Sequence, residues 1–286
     1  MTEGTGRTVL ITGATDGLGR ATAIYLAEQG YRVFAGGRSA EKRASLEKLA
    51  GERKLPIETM EMDVCDDGSV ERAVASAESR AAIEVLINNA GYALCATMED
   101  VTLPDLRAQF ETNFFGVVRV TQCVLPHMRA RGRGRIINMS SIAGKYSWPL
   151  FGPYSASKHA LEGMTDALRI EARLHGIQVV LIEPGYIPTN MGNVSQELAV
   201  QYRKAASEGP YARLYAAFRE NWKNTTRGAK TTPEDCARVI QRAIEARQPK
   251  PRYTVTQRAA MLSLAKRVLT DSYFDKRTLR AFGMER

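Results

Sequence analysis

Short apolar, β-branched runs alternate along this chain with stretches whose apolar residues recur every three or four positions. The runs predict strands over residues 8–11, 32–35, 57–62, 85–88, 135–139, 178–183 and 253–255. The 3.6-residue pattern predicts helices over 20–29, 41–49, 70–80, 106–128, 154–175 and 233–246. Such alternation argues for parallel strands joined by crossover helices. Val9-Leu10-Ile11 and Val179-Val180-Leu181-Ile182 are apolar throughout, as strands covered on both faces are. Gly30 is a natural stop for the first helix. Thr232-Pro233-Glu234-Asp235 offers a capping hydroxyl, Pro at N1 and an acid at N3, so a helix starts there. No low-complexity linker or internal repeat interrupts the pattern, and residues 1–286 read as a single domain. Residues 190–230 break the alternation with Gly192, Gly209 and Pro210 set among aromatic residues. An insertion after a strand end is a candidate substrate lid.

Composition narrows the class. Of 286 residues, 44% are hydrophobic and 25% charged, as in a globular protein with a sizeable core. Cys65, Cys95, Cys123 and Cys236 are far apart and read as thiols in a reducing compartment. His127, His159 and His175 are scattered, so no metal site is expected. Met1 to Gly6 is polar and lacks the apolar core of a signal peptide. No apolar run approaches the ~18 residues of a spanning helix, so a cytoplasmic location is expected. Net charge is +9, with ten Lys and Arg against three acids from Arg247 to Arg286. The charge of that basic extension, 257–286, reads as a solvated face or as serving nucleic acid, an anionic membrane or a phosphorylated cofactor. Residues 258–269 form a basic amphipathic stretch, expected to pack on its own fold or a neighbouring subunit rather than on a membrane. Arg131-Gly132-Arg133-Gly134-Arg135 is short and leads into a strand, so it reads as a solvated turn and not a nucleic-acid segment.

The first strand runs into Thr12-Gly13-Ala14-Thr15-Asp16-Gly17-Leu18-Gly19 and then a helix. Gly13 permits a tight turn, Gly17 lets a pyrophosphate approach the backbone, and Gly19 lets helix and strand pack closely. The helix N-terminus offers unpaired N–H groups to phosphate. No Gly-Lys-Ser/Thr follows, which disfavours a triphosphate loop. The second strand ends at Gly36-Gly37-Arg38-Ser39. A carboxylate there would repel a 2′-phosphate; Arg38 supplies a planar cationic fork instead, which favours NADP(H) over NAD(H).

Tyr154 and Lys158 stand four residues apart, on one face of a predicted helix. A free phenol titrates near ~10, and a close cation favours the phenolate. The pair is a candidate proton donor and acceptor.

Several motifs now stand in order: the glycine turn, Asn88-Asn89-Ala90-Gly91, Ser141 followed by Tyr154-x-x-x-Lys158, and Pro184-Gly185 with Thr189. In these the chain resembles the short-chain dehydrogenase/reductase family over nearly all of residues 7–256. The resemblance implies an α/β fold: a doubly wound (Rossmann) parallel seven-stranded sheet with helices on both faces, extended here by C-terminal helices. It implies cofactor contacts from Gly13, Thr15, Asp16, Gly17, Leu18, Gly19, Arg38 and Ser39. Asp63 and Val64 would meet the adenine. Asn88, Ala90 and Gly91 would line the cleft, and Pro184, Gly185, Ile187 and Thr189 would cradle the nicotinamide. Ser141, thirteen residues before Tyr154, would hold the substrate oxygen. Tyr154 would move the proton, Lys158 would lower the Tyr pKa and hold the ribose, and Asn113 would anchor a relay water. A homodimer or homotetramer through the helices over 106–128 and 154–175 is implied too.

Glu183 before Pro184-Gly185 and the long basic extension resemble the hydroxysteroid and retinol dehydrogenase branch. The expected activity is NADPH-dependent reduction of a hydrophobic ketone or aldehyde, reversible, with a 3-oxoacyl thioester as an alternative substrate. An NADP(H) sensor without turnover is the competing class; the retained Asn113, Ser141, Tyr154 and Lys158 argue against it. A sugar epimerase or dehydratase is disfavoured by the short chain and by Arg38.

Overall fold

The computed structural model describes residues 6–189, 202 and 207–284. Seven strands form one sheet in the order β3-β2-β1-β4-β5-β6-β7. They are β1 (Thr8–Ile11), β2 (Arg32–Gly37), β3 (Ile57–Glu61), β4 (Val85–Asn88), β5 (Gly134–Met139), β6 (Ile177–Glu183) and β7 (Arg252–Thr254). Every neighbouring pair is parallel. Chain direction across the sheet reverses between β1 and β4, the position where such sheets open a crevice at their carboxyl ends.

Helices cover both faces, as strands apolar on both sides require. In chain order they are α1 (Gly17–Glu28), α2 (Ala40–Arg53), α3 (Asp67–Arg80), α4 (Leu103–Phe110), α5 (Gly116–Ala130), α6 (Gly152–Arg173), α7 (Ala212–Arg227), α8 (Pro233–Glu245), α9 (Gln257–Val268) and α10 (Asp271–Ala281). The two-residue period of the strands divides the core. Val9 and Ile11 join Leu26, Val33 and Ile240 under α1 and α8. Leu10 points the other way, with Phe34, Val74, Val124 and Leu168 under α3, α5 and α6. The Thr232 capping box forms as expected, with the Asp235 side chain returning to the Thr232 N–H at 2.8 Å.

Two elements differ from the sequence pattern. The single helix expected over 106–128 is α4, a five-residue π turn at Glu111–Phe115, and α5. Apolar periodicity runs on through the wide turn, so it leaves little trace in the sequence. Strand β2 continues through Gly36 and Gly37, two residues beyond the predicted run at 32–35. Glycine is needed there for space: a Cβ on Gly36 would lie 2.8 Å from Met62 Sδ, and one on Gly37 would lie 2.5 Å from Thr15 Cγ2.

The C-terminal extension packs back on the fold. Tyr146 Oη and Thr278 Oγ1 are 2.5 Å apart, and Asn221 Nδ2 donates to the Ala281 carbonyl at 2.8 Å. Met261, Leu264 and Val268 on α9 remain exposed.

A charge cluster ties α6 to β6 and β7. Glu162 and Glu183 are both buried. Arg252 Nε lies 3.0 Å from Glu162 Oε2 and 3.2 Å from Glu183 Oε1, while its Nη2 reaches Asp166 at 2.6 Å. Lys145 Nζ meets Glu162 at 2.5 Å and Glu183 at 3.6 Å. Burial first, and then the neighbouring Glu162, raises the Glu183 carboxyl above its ordinary range. A carboxyl raised on folding favours the folded state below its unfolded pKa, and that contribution fades as pH rises through the folded value. Arg252→Met strips two buried carboxylates of a guanidinium. It should destabilise the protein by about 3 kcal/mol at pH 8, and by less at pH 5, where the raised Glu183 carboxyl can take up a proton. Urea denaturation of both proteins at both pH values measures this; equal deficits would contradict it.

Candidate active site

The crevice is built where β1 and β4 end side by side. Thr12 Oγ1 accepts the N–H groups of Asn89 and Ala90, each at 3.0 Å. Asn89 Nδ2 donates back to the carbonyls of Thr12 at 3.0 Å and Gly13 at 3.2 Å. Gly13 (φ +62°) and Gly17 (φ +51°) are left-handed, a conformation that disfavours a side chain. Gly19 is needed for contact: a Cβ there would lie 2.2 Å from the Gly13 carbonyl oxygen and 2.4 Å from Asn89 Nδ2. Asp16 caps α1, accepting the Gly17 N–H at 2.7 Å, and its other oxygen pairs with Lys42 at 2.5 Å. Thr15 is buried below Gly37, and Leu18 faces the crevice.

Arg38 leaves the end of β2 with its side chain 74% exposed and its Nη1 3.8 Å from Asp63 Oδ2. Ser39 caps α2 by accepting the Lys42 N–H at 3.2 Å. Arg43 Nη1 donates to the carbonyls of Gly37 at 2.9 Å and Arg38 at 2.7 Å, which fixes the loop. Asp63 Oδ1 accepts the Cys65 N–H at 3.0 Å. The Val64 side chain fills the space that Gly116 leaves, and its carbonyl accepts from Arg119 at 2.6 Å.

One expected contact needs correction. The Asn88 side chain does not enter the crevice. Its Nδ2 donates inward to Thr121 Oγ1 at 3.1 Å and Asn138 Oδ1 at 2.9 Å, so only its backbone is available to a ligand. Asn89, which the motif contains but the sequence reading did not single out, braces the glycine turn and lines the cavity. Ala90 backs the glycine turn, where a Cβ on Gly13 would lie 2.9 Å from Ala90 Cα.

Asn113 sits in the π turn, fully buried. Its Oδ1 accepts the Tyr92 N–H at 3.1 Å, and its Nδ2 donates to the Tyr92 carbonyl at 2.9 Å and to Ser157 Oγ at 3.1 Å. Widened helical turns frequently occur at functional sites. A Cβ on Gly91 would lie 3.0 Å from Asn113 Oδ1 and 3.8 Å from Lys158 Nζ, so these groups crowd together.

Ser141 follows β5 and caps a short 3-10 turn, its Oγ accepting the Ala143 N–H at 3.1 Å. Its hydroxyl lies near the phenol of Tyr154. Tyr154 stands in the first turn of α6, only 8% exposed. Burial pushes its pKa up to about 12 against the opposing pull of the Ser141 hydroxyl. Lys158, one turn on, donates from Nζ to the Met139 carbonyl at 2.8 Å, with Nζ 5.8 Å from the centre of the Tyr154 ring. Burial pulls its ammonium down to about 8, opposed by the charge of Glu162. The expected lowering of the Tyr154 pKa by Lys158 is therefore absent in this geometry. Both groups are buried, and the ammonium is held by a backbone carbonyl.

Above these residues opens a cavity of about 460 Å³. Pro184, Gly185, Ile187 and Thr189 form one side. Gly185 is close-packed, since a Cβ there would meet Thr256 Oγ1 at 2.3 Å. Phe151, Phe218 and Trp222 form an aromatic wall with ring centres 5.6 to 5.8 Å apart. Phe218 and Trp222 belong to α7, within the predicted lid; α7 is anchored by Tyr215 Oη donating to Asp100 at 2.8 Å. Residues 190–201 and 203–206 of that lid lie outside the described residues. The far wall, from Leu262 and Phe274, comes from the C-terminal extension. Ser140 also lines the cavity, and its buried hydroxyl has no hydrogen-bond partner among the described residues. Among those residues no helix is long and apolar enough to cross a membrane.

Comparison with known proteins gives this geometry a context. Residues 7–198 match the family model described as short chain dehydrogenase. A putative ketoacyl reductase of the monensin polyketide synthase from Streptomyces virginiae is 42% identical over 84% of this chain and 90% of its own length. Retinol dehydrogenase 8 of Bos taurus is 34% identical over 90% of this chain and 84% of its own. The crystal structure of an actinorhodin polyketide ketoreductase variant with NADPH superposes with a TM-score of 0.74, at 30% identity over 89% of this chain and 97% of that one. The match begins at β1 and runs past the Pro184-Gly185 loop, and the chain belongs to the short-chain dehydrogenase family of oxidoreductases.

Proposed function

We propose that this oxidoreductase uses NADP(H) to reduce the carbonyl of a hydrophobic ketone or aldehyde to an alcohol, reversibly. The observation that carries this reading is the pair of hydroxyls, Ser141 and Tyr154, that line an apolar, aromatic-walled cavity beside Lys158. A carbonyl oxygen accepting from both hydroxyls would be held and protonated at one point. The Tyr154 phenol, with its pKa at about 12, holds the proton that reduction needs at neutral pH.

The residues present fit the dinucleotide. The left-handed glycines and the α1 N-terminus offer backbone N–H groups to a pyrophosphate. Arg38, beside Ser39 and the α2 N-terminus, suits a 2′-phosphate. Asp63 and Val64 would bound the adenine, with the backbone of Asn88, Ala90 and Gly91 behind the ribose. Lys158 would hold the second ribose, and Pro184, Gly185, Ile187 and Thr189 the nicotinamide. When bound, the cofactor supplies the hydride. Asn113 fixes the backbone beside Lys158, which supports its reading as the anchor of a proton relay. The NADPH in the related ketoreductase structure supports the cofactor choice.

A 3-oxoacyl thioester is the second substrate reading, favoured by the likeness to the ketoacyl reductase. A homo-oligomer is read from the exposed apolar residues Phe115, Ile170 and Leu174.

Tyr154→Phe should lower the turnover number by about 10²-fold or more while NADPH still binds; NADPH oxidation with a panel of aliphatic, aromatic, steroid and retinoid ketones, alongside NADPH fluorescence titration, reports both. Near-normal turnover in the variant would sink the proton role. Arg38→Ala should weaken NADPH binding by about tenfold and leave NADH binding close to wild type. Equal losses for the two cofactors would contradict the phosphate contact. Because Lys158 discharges near pH 8 while Tyr154 keeps its proton, kcat/KM for NADPH should fall as pH rises above about 8. A profile flat to pH 10 would show that the lysine charge is not needed.

A further inference from the structure

The cavity is apolar along its length but its charge is one-sided. Among the described residues no carboxylate lines it, and its charged lining residues are Lys158, Arg258 and Arg277. Lys158 is buried beside Tyr154, whereas both arginines are exposed to solvent. They come from different helices of the extension, Arg258 from α9 and Arg277 from α10. Neither makes an ion pair or hydrogen bond among the described residues, while Lys266 in the same extension is paired with Asp271. The lining also includes the apolar side chains of Phe151, Trp222, Leu262 and Phe274. The volume of about 460 Å³ includes the side lined by Pro184, Gly185, Ile187 and Thr189, which the cofactor would share with a small organic ligand.

We propose that the cavity takes an amphipathic carbonyl compound: an apolar body with an anionic group, carboxylate or phosphate, at the end remote from the reacting carbonyl, held by Arg258 and Arg277. The substrate assignment rests on the reductase reading above; the anion site does not. Two guanidinium forks at the mouth of an apolar channel favour an anion by charge and by planar hydrogen bonding. A neutral ligand of the same length gains only the apolar wall. The arginines therefore select the far end of the ligand, and the aromatic wall sets the distance to Tyr154.

The chain has two tryptophans, and Trp148 and Trp222 both line this cavity. Their intrinsic fluorescence reports binding without any turnover. We expect decanoate or decyl phosphate to bind on the order of tenfold more tightly than decanamide. That preference should shrink as salt is raised, since the rim charges are open to screening. The tighter of the two acids identifies carboxylate or phosphate as the natural group. In the double variant R258Q/R277Q the ratio of acid to amide affinity should fall to near unity, and in R258K/R277K a preference should persist. Equal binding of all three probes to the wild type, or an unchanged ratio in R258Q/R277Q, would overturn the proposal. An acid preference lost in R258Q/R277Q, with no ketone consumed by the wild type, would sink the reductase reading and leave the anion site standing.

Discussion

The site depends on how closely two strand ends can approach. Strands β1 and β4 are neighbours in the sheet, and the chain leaves them in opposite directions. Their ends are stitched by Thr12 and Asn89, through hydrogen bonds that run both ways between the two loops. That closeness leaves no room for side chains at Gly13 or Gly19. With the glycine turn pulled tight, the backbone N–H groups at the start of α1 face the crevice instead of packing under a side chain. The same stitch carries Gly91 toward Asn113 and Lys158. Loosening one loop would move both the glycine turn and the groups around Lys158.

Most of the fold was legible because its signals are local. Apolar runs such as Val9-Leu10-Ile11 read as buried strands, and Thr232 announced its helix through a side chain three residues from its partner. The glycine turn and the Tyr154–Lys158 spacing were legible for the same reason. What was not legible depends on distant contacts. Gly36 and Gly37 continue a strand because Met62 and Thr15 press against them. The Asn88 side chain turns inward because Asn138 and Thr121 wait for it across the sheet. The π turn forms around Asn113, whose partners Tyr92 and Ser157 lie 21 and 44 residues away. Nothing in the local pattern marks these pairings.

Charge placement along α6 shows a similar dependence. Lys158, Glu162 and Asp166 recur every fourth residue and so share a face. Lys158 is buried at a cost to its charge, and Glu162 opposes that cost. Glu162 is itself buried, and Lys145 and Arg252 pair with it. The ammonium beside Tyr154 is thus sustained by a chain of alternating charges that ends at the β7 edge. Glu183, the unusual residue before Pro184-Gly185, joins the chain from the strand that leads into that loop. Short β7, with three residues and one neighbour, is held by this network as well as by its ladder.

The extension at residues 257–286 first read as a solvated basic face. Its helices instead complete the cavity, with Leu262 and Phe274 as a wall and the Tyr146–Thr278 contact as a fastening. This changes what the basic charge can do. Scattered over a surface, arginines only keep a protein in solution. Set on the lining of an apolar channel that has no carboxylate among the described residues, they act on whatever enters it. The family core places a hydroxyl pair and a lysine at the base, and many carbonyl compounds could meet those groups equally well. Discrimination must then come from the walls and the rim. In this chain both are drawn from α7 and the C-terminal helices, outside the strands and turns that carry the shared motifs.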